Sequence, residues 1–160
     1  MWYDDGQLYI ECNFKNNKLN GEYKKYYPDG KIKIKGTYQN GDAGLMNYDE
    51  NGNLTSINGQ HPNSYYREYC QQLKKYVESK YYSGNVLNKK VLYNKFLKVE
   101  EDYNAKILSE TDLNKKISIY DELIKLYTRM FELRDTETTE IETNLKKAKT
   151  PDEIKVILGL

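Results

Sequence analysis

Tyr26-Tyr27-Pro28-Asp29-Gly30-Lys31-Ile32 is one of three copies of a single phrase: an aromatic, two or three turn formers, a glycine, one further residue and an aliphatic. The other copies are Trp2-Tyr3-Asp4-Asp5-Gly6-Gln7-Leu8 and Tyr48-Asp49-Glu50-Asn51-Gly52-Asn53-Leu54, which place the three glycines 24 and 22 residues apart. A fixed period of this size marks stacked supersecondary units. Such stacks present extended surfaces and are used mostly for binding.

Strict alternation follows each phrase. Leu8, Ile10, Cys12 and Phe14 share one side of a strand, as do Ile32, Ile34, Gly36 and Tyr38, with Lys31, Lys33, Lys35 and Thr37 on the other side. Period-two patterning bounded by turn residues predicts half-buried antiparallel strands. Asn16-Asn17 and Asn40-Gly41 sit at equivalent places and suit two-residue hairpin turns with positive φ. Gly21 to Tyr27 supplies a returning strand that ends at Pro28-Asp29-Gly30. Each unit reads as one hairpin, and the hairpins pair into a twisted meander.

The run Tyr26-Tyr27-Pro28-Asp29-Gly30-Lys31-Ile32-Lys33-Ile34-Lys35-Gly36-Thr37-Tyr38-Gln39-Asn40-Gly41 resembles the MORN-type repeats of bacteria. The variant is that of YwqK-like proteins, often labelled antitoxins, and the resemblance covers residues 2–59. It implies a role in covering a partner's surface. Two departures stand out: Cys12 occupies the place of Gly36, and the third unit decays after Leu54 into Thr55-Ser56-Ile57-Asn58-Gly59. So short an array needs a cap, and the rest of the chain is the candidate.

The expected fold class is α+β, a short antiparallel β-hairpin repeat meander at residues 1–60, a linker at 61–64, and an all-helical, bundle-like domain at 65–160. From Ser64 onward apolar residues recur at three and four. Tyr66, Cys70, Leu73, Val77 and Tyr81 form one stripe, flanked by Tyr65, Tyr69 and Tyr76, and Ser83-Gly84 stops it. Val91, Leu92, Phe96, Val99, Tyr103 and Ile107 predict a second helix, with a break near Ser109 to Asp112. The third has two apolar faces, Ile117, Tyr120, Ile124, Tyr127 and Phe131 beside Leu123, Leu126, Met130 and Leu133, which suits a central helix. Thr136 to Thr143 is poor helix material and is expected to kink or fray. Thr150-Pro151-Asp152-Glu153 opens a last helix with a capping box and a proline at its first position, burying Ile154, Ile157 and Leu158.

Lys plus Arg is 25 and Asp plus Glu 24, so no net field steers the chain toward nucleic acid or an anionic membrane. The lysine pairs alternate with acids and read as solvated helix faces. The 17 tyrosines must supply much of the buried area, although compositional bias also accounts for a Tyr excess. Cys12 and Cys70 are too few for a disulfide framework and lack metal-ligand spacing. His61, the only histidine, stands before a proline with no Ser, Cys or carboxylate constellation around it. No Gly-rich phosphate loop joins a strand to a helix. No catalytic, cofactor-binding or metal-ligating residues are therefore assigned.

The reading is a non-enzymatic protein-interaction module, antitoxin- or immunity-like, whose candidate binding residues are Tyr9, Ile10, Glu11, Lys24, Lys33 and Lys35. The partner is another protein or a second copy meeting the edge at residues 2–14, whose outer strand carries Leu8, Tyr9, Ile10 and Cys12 with only Glu11 as a charged guard; repeats upstream are the other expected occupant of this edge. The chain as written reads as cytoplasmic, lacking a signal-peptide pattern and a membrane-spanning run. The alternative is an envelope or surface protein binding a glycan, lysozyme or host component, with a leader upstream in the natural gene. Leu126 to Asp135, with its aromatic-x-x-Arg-Asp run at Phe131, Arg134 and Asp135, resembles a stretch of lysozyme-inhibitor-like domains; those carry cysteines around it, and this chain has Thr138 and Thr139 nearby instead.

Overall fold

The structure, a computed structural model, describes residues 1–160 and divides into two compact units, Met1–Tyr65 and Tyr66–Leu160. The first holds a five-stranded antiparallel sheet in sequence order: β1 (Ile10–Lys15), β2 (Lys18–Tyr26), β3 (Ile32–Gln39), β4 (Asp42–Tyr48) and β5 (Leu54–Ile57). The hairpin turns are the expected ones, with Asn16 and Asn17 at φ 51 and 59 and Asn40 and Gly41 at φ 54 and 100. Positive φ at both positions matches the twist of the flanking strands.

The three phrases have one geometry. Gly6, Gly30 and Gly52 all take φ 84, a conformation that side-chain-bearing residues avoid. Their N–H groups donate to Tyr3, Tyr27 and Asp49 carbonyls at 3.0, 2.9 and 3.0 Å. The Asp5 and Asp29 carboxylates accept from the Gln7 and Lys31 amides, each at 3.0 Å. Repeats are then joined by tyrosine: the Tyr3 hydroxyl donates to the Tyr26 carbonyl and that of Tyr27 to the Tyr48 carbonyl, at 2.8 and 2.9 Å. The third copy has Asp49 at this place, whose carboxylate turns back to the Asn51 and Asn53 amides. That substitution is where the ladder of staples stops.

The unequal spacing of the glycines has a physical origin. In β3 and β4 the register is continuous from Ile34↔Asn47 to Gln39↔Asp42, whereas between β1 and β2 it jumps from Cys12↔Tyr23 to Phe14↔Leu19. The two additional residues therefore lie within Asn20–Glu22, where Gly21 sits at φ 98. A Cβ on Gly36 would stand 2.1 Å from the Gly44 carbonyl oxygen. Cys12 carries a Cβ at the equivalent place, and the bulge in β2 gives it room. Gly36→Ala is accordingly expected to destabilise the repeat unit by about 1–3 kcal/mol, whereas Gly44→Ala, with open space around its Cβ position, is expected to leave it unchanged. Thermal denaturation followed by sheet circular dichroism separates the two; equal melts would refute the close approach.

The helices of the second region are α1 (Pro62–Tyr81), α2 (Lys90–Ser109), α3 (Leu113–Arg134), α4 (Thr139–Leu145) and α5 (Pro151–Leu158). α1 starts within the stretch read as a linker. Its cap is His61, whose carbonyl accepts the Tyr65 amide at 3.1 Å and whose Nδ1 accepts the Asn63 amide at 3.2 Å, with Pro62 at the first helical position. A small hairpin, β6 (Tyr82–Ser83) with β7 (Val86–Leu87), follows α1 around Gly84 at φ 61 and was not legible as strand. α3 is capped by Asp112, and α5 has the expected capping box of Thr150 and Glu153. The weak stretch after Arg134 breaks over Asp135–Thr138 and then forms α4, which buries Leu145.

The helical core contains Val77, Tyr81, Leu92, Phe96, Val99, Leu126, Met130, Leu145, Ile154 and Leu158, all fully buried. Of α3's two apolar faces the one carrying Leu123, Leu126, Met130 and Leu133 turns inward, together with Tyr120 and Tyr127. Ile124, Phe131 and Leu73, expected to be buried, are only half-buried, and Phe131 lies against the half-exposed Tyr76 with ring centroids 5.1 Å apart. The sequence pattern could not rank two adjacent stripes whose residues are equally apolar.

Glu100 of α2 is the one buried charged residue, and both its oxygens are engaged. Oε1 receives Lys74 Nζ at 2.8 Å and Oε2 receives the Tyr127 hydroxyl at 2.6 Å. Burial, followed by the hydrogen bond to Glu100 and its charge, pushes the Tyr127 hydroxyl well above the usual tyrosine range. Burial also raises Tyr81, and Tyr93 is pushed up to about 12. Folding therefore favours the neutral phenols. This contribution is intact below the ordinary tyrosine value of about 10 and is lost as pH rises through that value toward the folded-state ones. Alkaline titration should show the last part of the tyrosinate absorbance, that of the buried Tyr81, Tyr93 and Tyr127, appearing together with loss of the helical signal in one cooperative step. Smooth ionisation of all 17 tyrosines near the ordinary value, with helix retained, would contradict it.

Candidate interaction surface

Cross-strand register builds one row over the whole sheet: Glu11↔Lys24↔Lys35↔Met46↔Ile57. Glu22, Thr37 and Gly44 form the neighbouring row on the same face, since residues two apart share a side. Lys24 Nζ lies 3.2 Å from Glu22 and 3.8 Å from Glu11, and Glu11 also accepts the Tyr26 hydroxyl at 3.0 Å. The hydrogen bond to Glu22, then the charges of Glu22 and Glu11, raise the Lys24 pKa. Lys35 is exposed and has no carboxylate within ion-pair distance. Lys24, Lys35, Thr37 and Met46 wall a depression of about 250 Å³ whose floor is Gly36 and Gly44. The row thus offers one unpaired ammonium, an apolar thioether and exposed glycine backbone.

The six candidate residues separate into three groups. Glu11, Lys24 and Lys35 come together in the row. Ile10 faces the opposite side with Lys25, Ile34, Asn47 and Ser56. Tyr9 and Lys33 take equivalent positions over the phrase tyrosines: the Tyr9 ring lies 4.7 Å from that of Tyr3, and Lys33 Nζ 5.2 Å from the Tyr27 centroid. Met46 was missed, although the phrase spacing alone aligns it with Lys24; Ile57, which the same spacing aligns with Lys35, is buried and ends the exposed part of the row.

The edge of the sheet adds a second element. Trp2 bridges Leu8 as Tyr26 pairs Ile32 and Tyr48 pairs Leu54. Residues 1–2 therefore occupy the place held in the interior by the last residues of a strand. The Met1 amine donates to the Ile10 carbonyl at 2.9 Å, and the Ile10 amide donates to the Met1 carbonyl at 3.2 Å. In an antiparallel pair, backbone groups of residues two apart point the same way. Those of Cys12 and Phe14 therefore face the open side, beyond the reach of Met1. Phe14 is 65% exposed.

A comparison with known families agrees with this geometry. The family described as MORN repeat variant matches residues 1–16 and 19–40. These segments carry MORN-type repeats. The interruption at residues 17–18 falls in the β1–β2 turn, just before the bulge. MORN repeats are in general interaction modules and are not an enzyme family. No curated protein and no solved structure matched the chain. No helix is long and apolar enough to cross a membrane.

The stretch from Leu126 to Asp135 is accounted for by α3 itself. Leu126, Tyr127, Met130 and Leu133 are buried. Arg129 Nε donates to the Leu158 carbonyl at 2.7 Å, and Arg134 donates to the Lys80 carbonyl. These arginines tie helix ends, where carbonyls lack partners within the helix.

Proposed function

We propose that the repeat sheet docks a partner protein through the open side of β1 and the adjoining Glu11–Lys24–Lys35 row. The protein acts stoichiometrically, as an antitoxin-like neutraliser that covers its target in a bacterium. The supporting observation is the combination of an unpaired strand edge with a neighbouring face that mixes charge and apolar surface. Added strands gain affinity from main-chain hydrogen bonds and specificity from flanking side chains. Ile10 and Tyr9, on the edge strand or at its start, flank the incoming strand, while Lys35 and Lys33, two strands further in on β3, meet the partner's surface beside it. The edge has little protection against such pairing, with Glu11 and Lys15 its only charged residues.

The test is genetic and biochemical together. Deletion of the gene should be deleterious only while the neighbouring gene is present, and the neighbouring gene's product should co-purify with this protein in a fixed ratio. Full viability after deletion, with no bound partner recovered, would overturn the reading.

A further inference from the structure

The helical unit contains a cleft that the interaction reading does not use. Three helices open it. α1 contributes Arg67, Cys70 and Lys74, α2 contributes Asn104 and Leu108, and α3 contributes Tyr120, Leu123 and Tyr127. Its volume is about 320 Å³, within the range of small-molecule sites. The spacings 67, 70 and 74 on α1 and 120, 123 and 127 on α3 are those of one helix face, so each wall is a continuous stripe.

The cleft is amphiphilic in an ordered way. Its interior is apolar, built from the buried Leu123, Ile107 and Cys70 and the faces of Tyr120 and Tyr127. Burial, followed by the charges of Asp121 and Glu100, pushes the Cys70 thiol up to about 12, so it lines the wall as a small apolar group and not as a nucleophile. Leu108, on the rim, is 86% exposed, a large aliphatic left without cover. The two cations of the rim differ. Lys74 is committed to Glu100 at 2.8 Å, whereas Arg67 is exposed and belongs to no ion pair. With Lys74 and Glu100 paired, Arg67 is the cation of the lining left for an anionic ligand, while the Asp121 carboxylate that acts on Cys70 is not among the lining residues. A planar guanidinium beside an apolar slot matches a carboxylate with an apolar body.

We infer that this cleft binds a small monoanionic amphiphile, an acyl or aromatic carboxylate whose head meets Arg67 and whose body lies against Leu108, Leu123 and Tyr120. Burial of Leu108 by the body would remove the exposed aliphatic at the rim.

The full-length protein is titrated with anilinonaphthalenesulfonate, an anionic aromatic dye, and the bound dye is then competed with octanoate and with octanol. One saturable site is expected, displaced by octanoate, with affinity reduced roughly tenfold in Arg67→Glu, the loss of one charge-assisted contact. Arg67 carries no structural bond, so the variant keeps the wild-type melt. Methyl resonances of Leu108, Leu123 and Ile107 should shift with octanoate while those of Ile32 and Ile34 stay fixed. The inference is overturned by absence of saturable binding, by equal displacement with octanol and an unaltered Arg67→Glu affinity, or by shifts confined to methyls elsewhere. A response only to an amphipathic helical peptide, with none to octanoate, overturns it as well. None of these outcomes bears on the sheet edge.

Discussion

Phe96→Ala is expected to cost the helical unit about 3–5 kcal/mol, the range for deleting a fully buried aromatic side chain. Phe96 has no exposed surface, and its ring meets those of Tyr93 and Tyr127 at centroid distances of 5.6 and 5.9 Å. Edge-on ring contacts of this kind add to simple burial. The loss is comparable with the whole stability of a typical small domain, about 5–15 kcal/mol. Chemical denaturation monitored by the helical signal should show a large fall in midpoint for Phe96→Ala and a clearly smaller one for Phe131→Ala. The smaller effect reflects Phe131's half-exposed place beside Tyr76. Equal effects would mean that α3 presents the wrong stripe to the core.

Lys74→Met should rank next. Removing one partner of a buried ion pair costs about 3–5 kcal/mol because the other charge stays buried without compensation. Here Glu100's side chain is 4% exposed while Lys74's is 41% exposed, so the carboxylate carries the penalty and solvent reaches only the lysine side. The lower end of that range, about 3 kcal/mol, is the expected loss. Replacing the whole cluster, Lys74→Met with Glu100→Leu and Tyr127→Phe, should recover most of it, since Glu100→Leu alone would strand the buried Tyr127 hydroxyl that donates to Glu100. A triple variant no more stable than Lys74→Met would show that Glu100 holds the fold in some other way.

The sheet was legible because its information is local. Each phrase carries its own turn, so Gly30 and Gly52 at φ 84 and the Asn40-Gly41 turn follow from residue type alone. Alternation then decides which residues share a side. What the sequence did not show depends on register across strands. Placing Glu11 opposite Lys24, and so joining β1 to the row of Lys24, Lys35 and Met46, requires knowing that two residues are inserted within Asn20–Glu22. Without that knowledge it could not be told whether Ile10 or Glu11 meets Lys24. In the helices, the capping box of Thr150 and the break at Ser109 to Asp112 were readable from single residues. The Lys74–Glu100–Tyr127 cluster was not, because its members lie 26 and 27 residues apart on three helices. Glu100 is the first of three consecutive acids, Glu100-Glu101-Asp102, and residue type alone does not separate the buried one from its neighbours. His61 illustrates the reverse: its place before Pro62 suggested a linker, and the same pair makes a helix cap.

The open side of β1 is the centre of the functional account, and Cys12→Pro tests it most directly. Proline removes the Cys12 N–H, which points away from β2, and edge strands accept proline where no ladder bond is lost. Cys12→Ser serves as the control for loss of the thiol. The measurement is association by light scattering, together with co-precipitation of the neighbouring gene's product, at matched concentration. Cys12→Pro should abolish association while keeping the wild-type sheet spectrum and melting temperature, and Cys12→Ser should associate as the wild type does. Undiminished association of a folded Cys12→Pro variant would contradict the account and leave the partner to the helices or to the opposite face of the sheet.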